Sequence, residues 1–347
     1  MRFTVVVPTI IAASFLAQGA IAQSVEAPFN QFYTLDNLGT IDGVPGPYGG
    51  LVIKADDPNT LLIGGSANQA GGAIYAVPLE RSCGKIIGFA GPGTLFATAP
   101  NIDGGLAYGP DGVLFFTRYS MNGLGQILPG SAAPDRLIDL NAFGIPTSVG
   151  AVNFIPPGFP NAGACRLMTF NNGSWSGVEL APAGDGTFLI TSGGERVPLV
   201  AVGPEGFVYI RAGSPEFATD TLLVSEFSAG RVSAFDIDAN ADPIIATRRT
   251  VVSGLSGAEG AAIDPSTGDF LFSTFGGGNR VIVVRGFDRP CPGDVTGDGT
   301  VNFSDLNTVL SNFGLTGDPI PGDTNGDCAV TFADLNTVLS AFGESCD

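Results

Sequence analysis

Glu259-Gly-Ala-Ala-Ile-Asp264, then Gly268-Asp-Phe-Leu-Phe-Ser-Thr274, then Asn279-Arg-Val-Ile-Val-Val284 make one phrase of three short apolar runs parted by turn residues. Runs of this length, rich in Val, Ile and Phe and bounded by Gly, Asn and Asp, read as strands joined by tight connections. Upstream the phrase recurs. Glu205-Gly-Phe-Val-Tyr209 leads to Asp220-Thr-Leu-Leu-Val-Ser225 and Gly230-Arg-Val-Ser-Ala-Phe-Asp236. Gly104-Gly-Leu-Ala-Tyr108 leads to Gly112-Val-Leu-Phe-Phe-Thr117 and Gly125-Gln-Ile127, and Gly49-Gly-Leu-Val-Ile53 to Asn59-Thr-Leu-Leu-Ile-Gly64 and Gly72-Ala-Ile-Tyr-Ala-Val77. A weaker copy runs from Gly150-Ala-Val-Asn-Phe154 through Arg166-Leu-Met-Thr-Phe170 and Trp175 to Val178-Glu-Leu180. The starts lie 46 to 55 residues apart.

Repeats of this size with several strands each are the blades of a β-propeller, so the reading is a mainly β chain. A fourth edge strand fits within each variable connection. Five copies are visible, and residues 29–38 can add a closing strand, so five or six blades fit. A pair of β-sandwiches is the rival; it leaves the recurring Gly-apolar starts unexplained.

The chain carries 33 Asp and Glu against 15 Lys and Arg, a net charge of −18 over 347 residues. Such a surface argues against nucleic acid or an anionic membrane as partner. There is no histidine, which excludes Ser-His-Asp chemistry and His-ligated zinc. Met1-Arg2, an apolar run and Ala20-Ile-Ala22 before Gln23 read as a secretory signal peptide over residues 1–22. No second apolar span follows, so the expectation is a secreted protein, extracellular or held at a cell surface, without a membrane span. The divisions expected are then a propeller-like domain over 27–288 and a small domain over 291–347.

That small domain contains a tandem duplication. Asp294-Val-Thr-Gly-Asp-Gly-Thr-Val-Asn-Phe-Ser-Asp305 and Asp323-Thr-Asn-Gly-Asp-Cys-Ala-Val-Thr-Phe-Ala-Asp334 lie 29 residues apart, and each runs into Asp-Leu-Asn-Thr-Val-Leu-Ser. Twelve-residue calcium loops take oxygen from positions 1, 3, 5, 7, 9 and 12, position 7 through its carbonyl. Here those positions are Asp294, Thr296, Asp298, Thr300, Asn302 and Asp305, then Asp323, Asn325, Asp327, Ala329, Thr331 and Asp334. Two calcium sites are expected. Position 6, ordinarily the glycine of the sharp turn, is Gly299 in the first loop and Cys328 in the second, which implies a weaker or distorted second site. Position 8 is Val301 or Val330, an apolar anchor through which the loops are expected to pair side by side. Leu306, Val309, Leu310 and Phe313, and Leu335, Val338, Leu339 and Phe342, then recur at helical spacing. Gly314 and Gly343 follow where a helix terminator belongs. Cys291-Pro-Gly leaves no room for the leading helix of a full EF-hand, so the unit is EF-hand-like, a loop and one helix.

Duplicated loop–helix units opening Gly-Asp-x-x-Gly-Asp resemble the type I dockerin domain over residues 291–347. The resemblance implies calcium binding and docking onto a cohesin-like module on a scaffold or cell surface, in a family associated with polysaccharide breakdown; a carbohydrate context follows by analogy. It places partner contacts at Phe303, Ser304, Leu310 and Ser311 and at Phe332, Ala333, Leu339 and Ser340. These depart from the Ser-Thr and basic residues common in the family, which puts a cellulosome-type cohesin in doubt. If the two halves are related by a pseudo-twofold, the module's ends meet and Cys291 pairs with Cys346. Cys83 with Cys165 is the second pairing expected, leaving Cys328 odd, although sequence does not fix connectivity.

The Glu-Gly-apolar-Asp-Pro phrase near Glu259 and Asp264 is loosely similar to NHL and gluconolactonase-like propellers. In the latter, acidic and amide residues from separate blades hold a catalytic divalent metal; Glu259, Asn153 and Asp103 are the positions carried over, and Glu205 also sits at a blade start. The alternative reading is therefore a hydrolase or lactonase with a divalent-metal site in the central channel. Otherwise these groups cap blade ends and hold water, and the propeller is a recognition domain. Trp175 is a sugar-stacking platform or a core residue.

Overall fold

The computed structural model describes residues 23–287 and 291–346; the expected signal peptide lies outside them. Five antiparallel sheets form a five-bladed propeller. The innermost strands, Leu51–Lys54, Ile102–Tyr108, Val149–Phe154, Pro204–Ile210 and Ala258–Ile263, each touch the next around the ring, and the fifth meets the first. The sixth blade that the sequence allowed is not formed. Residues 29–38 serve instead to close the fifth sheet, where Thr34–Gly39 pairs antiparallel with Val281–Arg285. Just before it, Ser24–Val25 pairs with Arg249–Ser253 at the edge of the fourth blade. The propeller thus begins at Ser24, ahead of the expected residue 27.

Middle strands read as unbroken apolar runs because both of their faces are covered. On Phe270–Thr274, Phe270 and Phe272 point into the cluster shared with blade four, while Leu271 points into the one shared with blade one. Side chains alternate across a strand, so every blade contributes to two cores. Five such clusters fill the five gaps between blades. Trp175 belongs to the cluster between blades three and four, fully buried, with its Nε1–H donated to Asp242 Oδ1 at 2.8 Å. It is core and not a platform.

The recurring glycines let the inner strands close up around the axis. A Cβ on Gly260 would sit 2.7 Å from the Gly50 Cα, and one on Gly50 would sit 2.7 Å from the Gly104 carbonyl. Hydroxyls on the middle strands stitch adjacent blades. Thr117 Oγ1 accepts from Gly105 N–H in its own blade and donates to Gly150 O in the next, at 2.9 and 2.8 Å. Ser273 repeats this between Gly260 N–H and Gly49 O, closing blade five onto blade one.

Two short helices follow, α1 (Phe303–Asn312) and α2 (Phe332–Ser340). Each opens with a capping box, Asn302 with Asp305 and Thr331 with Asp334, which satisfies the first free N–H groups of the helix. Val301, Val309, Val330 and Val338 form their shared core. The loops do not pair side by side as position 8 suggested. Val301 exchanges main-chain hydrogen bonds with Glu344 and Gly343, beyond α2, and Val330 with Leu315 and Gly314, beyond α1. The glycines ending the helices, at φ +81° and +91°, turn the chain back across the opposite loop. Rings follow the same exchange, Phe303 against Phe342 and Phe332 against Phe313.

Cys291 and Cys346 are bonded, as the pseudo-twofold required. The other pairing differs from expectation: Cys83 is bonded to Cys328, across 245 residues, and Cys165 is free and buried. Cys165 opens the second strand of blade three, its side chain in the core between blades two and three and out of reach of a surface turn. Cys328 lies on the tail face that meets blade one.

Candidate functional site

Two sets of carboxylates stand out. The first lies at the starts of three inner strands: Asp103 in blade two, Glu205 in blade four and Glu259 in blade five bring carboxylate oxygens within 4.8 Å of one another. They are 0%, 4% and 1% exposed. Both oxygens of Asp103, both of Glu259 and Oε2 of Glu205 are buried without a hydrogen-bond partner. Glycine makes the room, since a Cβ on Gly150 would sit 2.5 Å from Glu205 Oε2. Burial pushes the Asp103 carboxyl up to about 8. It raises Glu205 and Glu259 well above the usual carboxylate range, with the neighbouring acids adding repulsion. Three unpaired buried carboxylates are costly unless neutralised by protons or by a cation. The donors are all hard oxygens, which suits calcium or magnesium over softer metals. Asn153 does not join them. Its Nδ2 donates to Phe207 O at 2.9 Å and its Oδ1 accepts from Phe154 N–H, tying blade three to blade four.

The second set is the tail's paired loops. In the first, Asp294, Asp298 and Asp305 bring oxygens within 4.8 Å. Asp294 accepts from the N–H groups of Gly297, Asp298 and Gly299, folding the loop around its first carboxylate. Asp305 accepts from Thr296 and Asn302. Burial acts to raise its carboxyl, but these N–H donors outweigh burial and hold it below the usual range. Loop two repeats the pattern, with Asp323 accepting from Gly326, Asp327 and Cys328, and Asp334 from Thr324 and Thr331. Its three aspartates do not gather as closely. Asp327 is held by the Asn325 amide and Ala329 N–H.

All eight residues expected to meet a partner are exposed: Phe303, Ser304, Leu310 and Ser311 on α1, and Phe332, Ala333, Leu339 and Ser340 on α2. Phe303 is 68% and Phe332 70% exposed, and Leu310 and Leu339 are each 51% exposed. The apolar stripe read from helical spacing is therefore split: Val309 and Val338 turn inward with Leu306 and Leu335 packed beside them, while Leu310 and Leu339 turn outward. Sequence reasoning missed the contacts of residues 83–85 with the second loop; the one signal was a cysteine at the glycine position.

No protein-family model and no curated protein sequence matches the chain. Among solved structures it is similar to the PQQ-bound aldose sugar dehydrogenase of Streptomyces coelicolor, at 12% identity over 72% of this chain and 83% of that one, with a TM-score of 0.38. It is similar at 14% identity to a putative gluconolactonase, over 77% and 87% of the two chains, TM-score 0.39. An auxiliary nutrient binding protein of Bacteroides ovatus is similar at 10% identity over 73% and 76%, TM-score 0.40.

Proposed function

We propose that this chain is a secreted calcium-binding protein whose dockerin-like tail attaches a propeller recognition domain to a cohesin-like partner outside the cell. What carries the reading is the outward face of the tail, where Phe303 and Leu310 are matched by Phe332 and Leu339 at nearly equal exposure. An apolar patch repeated by pseudo-symmetry and left open suits a protein partner. The loops beside it offer the oxygen set of a calcium site, and cation binding would stabilise the helices that carry the patch. Two disulfides suit an oxidising compartment, and among the described residues no helix is long and apolar enough to cross a membrane. Calcium titration of the full chain by calorimetry tests the reading. Uptake of two equivalents that Asp103→Asn leaves intact, with one of them weakened in Asp298→Ala, supports it; no uptake at millimolar calcium rejects it.

A second reading, a hydrolase or lactonase, is favoured by the axial carboxylates. Asp103, Glu205 and Glu259 would hold a divalent cation, which supplies Lewis acidity toward a lactone carbonyl. Their side chains are almost wholly buried, which would strengthen their hold on a cation. Lactone hydrolysis that requires a divalent cation and is lost in Glu259→Gln would establish this activity; an inactive protein retaining its axial cation would leave the cluster a structural role.

A further inference from the structure

The two loops fold alike, but among the described residues it is the second that is bonded to the propeller. At Gly297, position 4 of the first loop, a Cβ would meet open space. At the matching Gly326 it would lie 2.8 Å from the Cys83 carbonyl. Lys85 Nζ donates to Gly326 O at 2.7 Å, and Cys83 N–H donates to Asp318 Oδ1 at 2.8 Å. The Cys83–Cys328 disulfide fastens the same contact. Cys328 has φ +65°, as its counterpart Gly299 has φ +85°. Side chains disfavour this left-handed region, and calcium loops place glycine there for that reason. In this conformation Cys328 N–H points at Asp323 Oδ2, 2.8 Å away, and so helps to orient the carboxylate that opens the loop. A residue free to return to negative φ would withdraw that donor.

We propose that the blade-one turn at residues 83–85 is a working part of the second cation site. The bond to Cys83, with the Lys85 and Asp318 contacts, holds Cys328 in the conformation that glycine supplies in the first loop. Cys83 and Lys85 are then positioning residues for a cation they do not touch. The inference rests on reading the loops as calcium sites. It adds that the second is completed only in the whole chain, so that cation binding there and docking of the tail on blade one strengthen each other.

Calorimetric calcium titration of full-length wild type, C83S/C328S and C83S/C328G tests it. In C83S/C328S the second site is expected to be about 10-fold weaker, equivalent to about 1.4 kcal/mol, and the first to weaken by a smaller factor, within about threefold, through the exchanged strands. C83S/C328G, equally without the disulfide, is expected to recover the second site to within about threefold of wild type, because glycine adopts the left-handed conformation freely. Wild-type affinity at both sites of C83S/C328S overturns the inference. So does a second site in C83S/C328G as weak as in C83S/C328S. An absence of calcium uptake by wild type overturns the calcium reading itself, and the inference with it.

Discussion

Gly343 donates its N–H to the carbonyl of Val301 at 2.8 Å, from the exit of one loop–helix unit into the loop of the other. Gly314 does the same to Val330 at the same distance. Neither loop completes its main-chain bonding within its own repeat. The two units therefore order together, and a cation held by one would steady the other.

Asp298→Ala removes an exposed carboxylate of the first loop. That loop should lose calcium affinity by at least about 10-fold through the missing charge. The second loop should weaken by a smaller factor through the exchanged strands. Calorimetry resolves the two steps; an unaltered second step would show that the crossed pairing carries no coupling.

Phe303→Ser with Phe332→Ser removes the outward rings. Calcium affinity should fall by no more than about 10-fold, because each ring is mostly exposed and packs on a single Phe of the other repeat, a ring pair being worth about 0.5–1.5 kcal/mol; docking is therefore compared at saturating calcium. Retention of wild-type chain on an immobilised cohesin-like module, lost in the double variant, is the expected result. Equal retention of both would place the partner surface elsewhere.

The axial acids predict an unusual pH response in chelated protein. Burial raises the folded-state values of Asp103, Glu205 and Glu259 above those of the unfolded chain. The native state then binds more protons between about pH 4 and the raised values, so stability falls as pH rises through that window. The midpoint of urea unfolding in chelator should drop from pH 5 to pH 8, and drop less in Asp103→Asn. A flat profile would mean that the acids are neutralised by something other than protons.

Gly104 is packed so closely that a Cβ would overlap the Glu205 carbonyl. Overpacking of this kind costs about 1–3 kcal/mol. Gly104→Ala should lower the unfolding midpoint, with Gly71→Ala, at an exposed turn with open space around it and no positive φ, as the milder control. Equal midpoints for Gly104→Ala and wild type would show that the inner strands can move apart freely.

The propeller was legible because each blade repeats a local pattern. Phe270-Leu-Phe272 displays its two-sided burial in sequence. The outer strands were less legible: Arg136–Asp139 is short and half exposed, so it carries little apolar signal. In the tail the proposed ligands and caps sit within twelve residues of one another and could be read from spacing alone. The Cys83–Cys328 bond could not, since it depends on where the tail folds back onto blade one. At the axis, Asp103, Glu205 and Glu259 were each visible at a blade start. Their convergence, and the departure of Asn153 toward Phe207, depend on strand register around the ring.

Trp175 is the chain's one tryptophan, and its ring lies 4.8 Å from that of Phe207 between blades three and four. The tail has none. Light absorbed at the red edge of the protein spectrum is therefore emitted from the propeller alone, and from a dry, rigid interface within it. The molecule carries its own optical label. A change in that emission when calcium is added records an event that reaches the interface of blades three and four, whether it starts in the tail or at the axial acids, and its loss in Asp298→Ala or in Asp103→Asn tells the two origins apart.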